Sequence, residues 1–131
     1  MTYGIIATDT IQSSTTGTPP QFNDGSGAQI GTLCRAWVNF NGTSATPITP
    51  RANYNVGSVT KNGTGDYTVN FTTALSDANY AVCGTAGDYT GGTQNRMTVD
   101  PKVFATTSIR INVDNSSSTT DQNAVSVAIF R

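Results

Sequence analysis

The chain has 131 residues, with eight acidic against seven basic side chains, a formal charge of −1 and a pI near 4.9. Charged residues make up only 11% of it and Arg35, Arg51, Arg96, Arg110 and Arg131 are scattered, which argues against nucleic-acid binding, since that needs clustered Lys and Arg to displace counterions. No stretch approaches the roughly 18 apolar residues of a membrane span, and the start MTYGIIATDT lacks the basic and long apolar regions of a signal peptide, so the expectation is a protein made in a cytoplasm and not inserted into a membrane.

There is no Glu, Leu occurs only at Leu33 and Leu75, and Lys only at Lys61 and Lys102. The residues that lose least entropy in a helix are thus nearly absent, while β-branched and turn-forming residues abound. We expect an all-β chain: an antiparallel β-sandwich of about seven or eight strands over residues 32–131, preceded by an extended arm over 1–31.

The arm opens with the apolar run Tyr3-Gly-Ile-Ile-Ala7, passes Ile11, and is broken by Pro19-Pro20 and Asn23-Asp-Gly-Ser-Gly27. It has too few apolar residues for a core of its own, so it is expected to serve attachment and oligomerisation through Tyr3, Ile5, Ile6 and Ile11. The first strong strand covers Ile30–Asn41, with Cys34, Ala36, Val38 and Phe40 on one face and Arg35, Trp37 and Asn39 on the other. Trp37 therefore lies opposite the apolar face, where it would cap a second sheet, join a subunit interface or stack on a ligand; packing at an interface or in a core is the favoured role.

After the proline-bearing stretch Ala45–Pro50, a strand is expected around Ala52–Thr60 with a bulge at Gly57. Asn62–Cys83 carries the clearest pattern: Tyr67, Val69 and Phe71 alternate with polar residues, the run Asn79–Gly84 follows the turn-prone Ser76-Asp77-Ala78, and the two read as strands joined by a turn. Thr85–Asn95 reads as a long exposed loop, Arg96–Val99 as a short strand stopped by Asp100-Pro101, and Ser108–Val113 and Ala124–Phe130 as alternating strands around a polar loop at Asp114–Asn123.

Chemistry is constrained first by what is missing. Without His there is no Ser-His-Asp or Cys-His arrangement and no imidazole metal ligand. The eight acids are all Asp and sit mostly in predicted turns, where local N–H acceptance explains them. A glycosidase pair would need two of them to meet in space. Asp114-Asn115 and Asp121-Gln-Asn123 do not match a twelve-residue calcium loop, and Gly91-Gly92 lacks the Lys-Ser/Thr of a phosphate loop. Four Asn-x-Ser/Thr sites, at Asn41, Asn62, Asn70 and Asn115, are explained by turn and strand composition. Cys34 and Cys83 are each expected to be small buried hydrophobes. A disulfide between them would require neighbouring strands with Cα atoms within about 7 Å, and a two-Cys zinc site lacks further ligands. No cofactor and no catalytic residue is expected.

The stretches Cys34-Arg-Ala-Trp-Val-Asn-Phe-Asn-Gly-Thr43, Arg51-Ala-x-Tyr-Asn-Val, Asn62-Gly-Thr-Gly-Asp-Tyr-Thr-Val-Asn-Phe-Thr-Thr73 and Asp77-Ala-Asn-Tyr80 resemble a module found at the ends of tail-fibre and related virion proteins of tailed bacteriophages and prophages, cyanophages among them. Asp9-Thr-Ile-Gln-Ser-Ser and Gly17-Thr-Pro-Pro look like the segment that often precedes it, so the likeness spans most of residues 8–83. The resemblance implies a non-enzymatic virion protein on a phage tail or capsid exterior, assembled as a homotrimer with other virion proteins. A tail-fibre or receptor-binding component is the expectation, and a capsid decoration or head-fibre protein the alternative. Behind these stand a carbohydrate-binding module and a glycan-degrading enzyme. The loop around Asp88, Tyr89, Asn95 and Arg96 is the expected contact for a host-surface glycan, and Trp37 joins the arm residues as an expected assembly contact.

Overall fold

The structure, a computed structural model, describes residues 8, 10–14, 20–91, 97–115 and 117–131. Its strands are β1 (Phe22–Asn23), β2 (Gln29–Gly31), β3 (Cys34–Phe40), β4 (Ala52–Tyr54), β5 (Val56–Gly63), β6 (Asp66–Phe71), β7 (Ala81–Gly87), β8 (Thr98–Phe104), β9 (Ser108–Asp114) and β10 (Ala124–Phe130). Among the described residues no helix is long and apolar enough to cross a membrane. The chain divides into two compact units, residues 1–33 and 34–131. Tyr3, Ile5 and Ile6 lie outside the described residues.

In the first unit, β1 and β2 pair antiparallel as a small hairpin. Asp24 closes its turn, one carboxylate oxygen accepting from the Ser26 amide, the Ser26 hydroxyl and the Ala28 amide at 2.7–3.0 Å. This is the short-range bonding that makes Asp a turn residue. The hairpin is too short to bury its own apolar groups: Phe22, Ile30 and Leu33 are exposed, as is Ile11.

The second unit is an antiparallel β-sandwich. One four-stranded sheet has the order β4-β3-β10-β7, and the other β5-β6-β9-β8. Strict alternation builds the space between them: Ala36, Val38 and Phe40 from β3 and Val125, Val127 and Ile129 from β10 meet Tyr67, Val69 and Phe71 from β6 and Ile109, Ile111 and Val113 from β9, all buried. Burying each such side chain contributes about 1.5–3 kcal/mol. The Phe40 and Tyr67 rings meet edge to face, centroids 5.1 Å apart, which adds to the area term.

The stretch Asn62–Cys83 is not a hairpin. β6 pairs with β5 and β9, whereas β7 pairs with β10 in the opposite sheet. Residues 72–80 instead cross over the end of the sandwich, anchored by Leu75 and Tyr80, whose side chains are buried. Tyr80 donates its hydroxyl to the carbonyls of Ala105 and Ser108 at 3.1 and 2.9 Å. The hairpin in this region is β5–β6, turned at Thr64-Gly65.

A second crossing occurs at Asn55, which holds a left-handed backbone (φ 53°) that Asn tolerates better than most residues. Its side-chain amide donates to the carbonyls of Arg35 and Thr73, and its oxygen accepts from the Thr73 amide at 2.7 Å. The strand expected across Ala52–Thr60 is thereby cut into β4 and β5, one in each sheet, with the register shift at Gly57 retained. β8 likewise runs through Asp100-Pro101 instead of stopping there. It is an edge strand, where the missing proline N–H costs no ladder bond, and the pairing shifts beside it, between Pro101 and Val103.

One polar junction ties the loops at one end. Asp121 accepts from the Gly65 amide (2.8 Å) and the Tyr67 hydroxyl (2.6 Å) through one oxygen, and from the Lys61 ammonium (2.6 Å) through the other. Lys61 and Tyr67 both also donate to the Gly42 carbonyl, at 3.0 and 3.1 Å. Burial pulls the Asp121 carboxyl upward, but the Gly65 amide, Lys61 and Tyr67 outweigh it and hold it below the ordinary carboxylate range. Burial first, then the hydrogen bond to Asp121 and its charge, push the Tyr67 hydroxyl far above its ordinary value.

Two outcomes follow for stability. Asp66, held well below its ordinary range mainly by Arg110, and Asp121 both favour the folded state when ionised, so their contribution is in place above about pH 4 and is lost as pH falls through their lowered folded-state values. The urea midpoint should therefore drop between pH 5 and pH 2, and Asp121→Ala should cost about 1–3 kcal/mol at pH 7 by leaving the buried Tyr67 hydroxyl without its carboxylate; a midpoint flat with pH would contradict this. Gly65 has φ +63°, and a Cβ there would lie 2.5 Å from the Val113 carbonyl oxygen and the Thr120 nitrogen. Gly65→Ala should destabilise by about 1–3 kcal/mol, read as a fall in Tm.

Candidate functional site

The outer faces of the two sheets differ. On the second sheet the outward side chains bond to one another. Arg110 clasps Asp66 through two bonds of 2.8 and 2.7 Å, and Lys102 reaches the same carboxylate at 3.1 Å. Asn62 donates to Asp66 and Thr68, and Asn70 to Ser58 and Thr60. Cross-strand pairs of this kind satisfy their own donors and acceptors. Val103 and Phe104 are the large apolar side chains left exposed on this sheet, both at the β8 edge, and the Phe104 ring packs on Tyr80.

The first sheet's outer face is built from aromatic and small side chains. Register places Tyr54 beside Trp37, Trp37 beside Ala128, and Ala128 beside Cys83; the next row runs Ala52, Asn39, Ser126, Thr85. Trp37 and Tyr54 remain 40% and 57% exposed. Beside the indole β10 and β7 turn the small side chains Ser126, Ala128, Cys83 and Thr85 outward, so the surface is hollow there, forming a groove of about 410 Å³. Gly84 forms part of its lining, and its inner side explains why β7 sits where it does. A Cβ on Gly84 would lie 2.5 Å from the Val99 side chain of β8, so only glycine lets these edges of opposite sheets close together.

At one end the groove meets a polar cluster. The Asn39 amide donates to the Ser126 hydroxyl at 2.7 Å, and its oxygen accepts from Arg51 at 3.4 Å. Arg51 also donates to the Asn123 carbonyl at 2.6 Å and lies 4.7 Å over the Tyr89 ring. The Tyr89 amide donates to the Asn123 side-chain oxygen, whose amide nitrogen donates to Asp88 at 2.7 Å. Asp88 also accepts from the Thr90 amide and hydroxyl.

Of the residues expected to touch a glycan, Asp88 and Tyr89 are thus held together beside this sheet, with Tyr89 70% exposed. Asn95 and Arg96 lie outside the described residues. The loop expected from Thr85 starts later, because β7 extends to Gly87. Trp37, expected as an assembly contact, borders the groove. Asn39, Arg51, Ser126 and Asn123 were not singled out by the sequence; the outward phase of Asn39 and Ser126 in their strands was the available signal.

The cysteines depart from expectation. Cys83 is exposed and Cys34 half-buried. Cys83 falls in the outward phase of β7, and a bulge beside Phe130 shifts Cys34 out of the core alternation. β10 runs between β3 and β7, so their strands are not neighbours and both thiols are free.

Asp100 and Asp114 meet on adjacent strands of the second sheet. The hydrogen bond to Asp114 raises the Asp100 carboxyl, and the Thr98 hydroxyl bonds both. Among the described residues no group of three or more His, Cys, Asp or Glu side chains comes together to hold a metal ion. No family model, no curated protein and no solved structure matches the chain.

The exposures make a direct prediction. A thiol reagent applied to the native protein should modify Cys83 at once and Cys34 more slowly, and Cys83→Ser should abolish the fast phase. Equal rates for the two thiols would contradict the placement of Cys83 on the outer face.

Proposed function

We propose that the chain is a non-enzymatic structural protein of a tailed-phage virion, a trimeric tail-fibre or receptor-binding component that works by surface contact through the outer face of its first sheet. The resemblance over residues 8–83 supports the virion setting. The observation that carries the contact role is the contrast between the two faces: the second sheet spends its polar side chains on one another, whereas the first leaves Trp37, Tyr54 and a hollow open. Exposed aromatic side chains of this kind are common anchors in recognition.

Trimer formation is supported by the first unit, whose Ile11, Phe22 and Ile30 are exposed in a single chain. Apolar groups left in water this way gain from burial against identical copies about a threefold axis.

Purified protein should sediment at three times the 13.7 kDa chain mass, and antibody raised against it should label the tail tips of intact particles. Label confined to the head would move the assignment to capsid decoration. A monomer absent from purified virions would sink it.

A further inference from the structure

We propose that the groove beside Trp37 is a binding site for a neutral glycan, one sugar ring lying against the indole and its hydroxyls bonded by Asn39, Ser126 and Thr85. The inference rests on taking the first sheet's outer face as the contact surface, and names the ligand class for it.

Size and shape come first. About 410 Å³ falls at the small end of ligand sites, which run from about 300 to 1,000 Å³. The floor is flat because the outward side chains that line it, Ser126, Ala128, Cys83 and Thr85, are small, and one side is the indole. A flat floor with one aromatic wall suits a ring better than a bulky branched side chain.

Polarity then selects among rings. A sugar presents an apolar C–H face and a rim of hydroxyls, which matches an indole beside an amide and two hydroxyls. Arg51 fixes how that amide is turned. Its N–H faces the Asn39 oxygen, so the Asn39 nitrogen faces Ser126. Since the Ser126 oxygen accepts that bond, its own proton is left to donate outward, to a ligand oxygen. An apolar peptide segment seated here would cover these polar groups without bonding them, a cost that favours the hydroxylated ligand.

Charge selects again. Among the described residues no Asp, Lys or Arg side chain lines the groove. Arg35 stands two residues before Trp37 on β3 without lining the groove, and the ionised groups at the polar end are turned elsewhere: Arg51 to Asn39, Asn123 and the Tyr89 ring, Asp88 to Thr90 and Asn123. A sulfated or carboxylated saccharide would find no counter-charge inside, while an uncharged one leaves none unpaired. The complement to this groove is neutral and rich in hydroxyls.

Trp37 is the sole tryptophan, so intrinsic fluorescence of the full chain reports the groove directly. Titration with neutral gluco-, galacto- and manno-oligosaccharides should give a saturable change for at least one of them, and sulfated or sialylated counterparts should bind at least tenfold more weakly. By calorimetry, Trp37→Ala and Ser126→Val should each weaken that binding about tenfold or more. Ala128→Tyr, which fills the floor and removes no wall, should block it with the circular dichroism spectrum unchanged, and it decides the matter if Trp37→Ala fails to fold.

The proposal is overturned if no neutral saccharide binds, if charged ones bind best, if Ala128→Tyr binds as well as the parent, or if the indole signal answers only to protein dilution, in which case a second copy fills the groove. A trimer present in virions but silent to saccharide would sink this site and leave the virion assignment standing. Saccharide binding by a protein absent from virions would do the reverse.

Discussion

The bond between the Tyr67 hydroxyl and the Asp121 carboxylate is the constraint on which the rest of the sandwich depends. Tyr67 starts in the core, packed edge-on against Phe40, and carries its polar end to the rim where Asp121, Gly42 and Lys61 converge. One side chain thereby joins the loop after β3, the turn between β5 and β6, and the segment that leads into β10. A charged acceptor that is half-buried is worth more than a fully exposed ion pair, because the Tyr67 hydroxyl bonded to it is itself buried. In a chain with so few charged groups, one of eight carboxylates is committed to closing the fold.

The consequence reaches the groove. Asp121 lies three residues before β10, and β10 is the strand flanked by β3 and β7 in the first sheet. Its register against both neighbours sets Ala128 between Trp37 and Cys83, and Ser126 between Asn39 and Thr85. A slip of one residue would turn Val127 to water and Ser126 into the core. The loop junction at one end and the alternation along β10 thus settle together which side chains meet on the outside. Asn123 carries the same segment across to Asp88 and Tyr89.

Much of this was legible in the amino-acid order. Absence of helix formers and the alternation in β3, β6, β9 and β10 specify an all-β sandwich and, Cys34 apart, its inward residues, along with the outward phase of Trp37. What the order could not show was partnership. Asn62–Cys83 looks like a hairpin because two strands follow each other with turn residues between. Whether the intervening segment makes a tight turn or crosses to the other sheet depends on Leu75 and Tyr80 finding buried places, a tertiary outcome with no local signature. Asp100-Pro101 reads as the end of a strand because proline is unfit for a central one, and it is tolerated within β8 because that strand is at an edge. The groove was harder still. It is a cavity made by small residues from three strands far apart in sequence, and no single stretch announces it.

The alternation that separates the core from the outer face also separates their tolerance to change. Ser126, Ala128, Cys83 and Thr85 project away from the packed interior, so replacing them alters the floor of the groove without opening a cavity beneath it. Surface substitutions away from packing and special backbone geometry generally move stability by about half a kcal/mol or less. Their neighbours Val125, Val127 and Ile129, by contrast, are buried, and truncating one would cost about 0.5–5 kcal/mol, depending on how much is removed. The sandwich thus carries a mutable palette on a packed frame: this face can drift toward a new surface while every second residue of the same strand holds the fold in place.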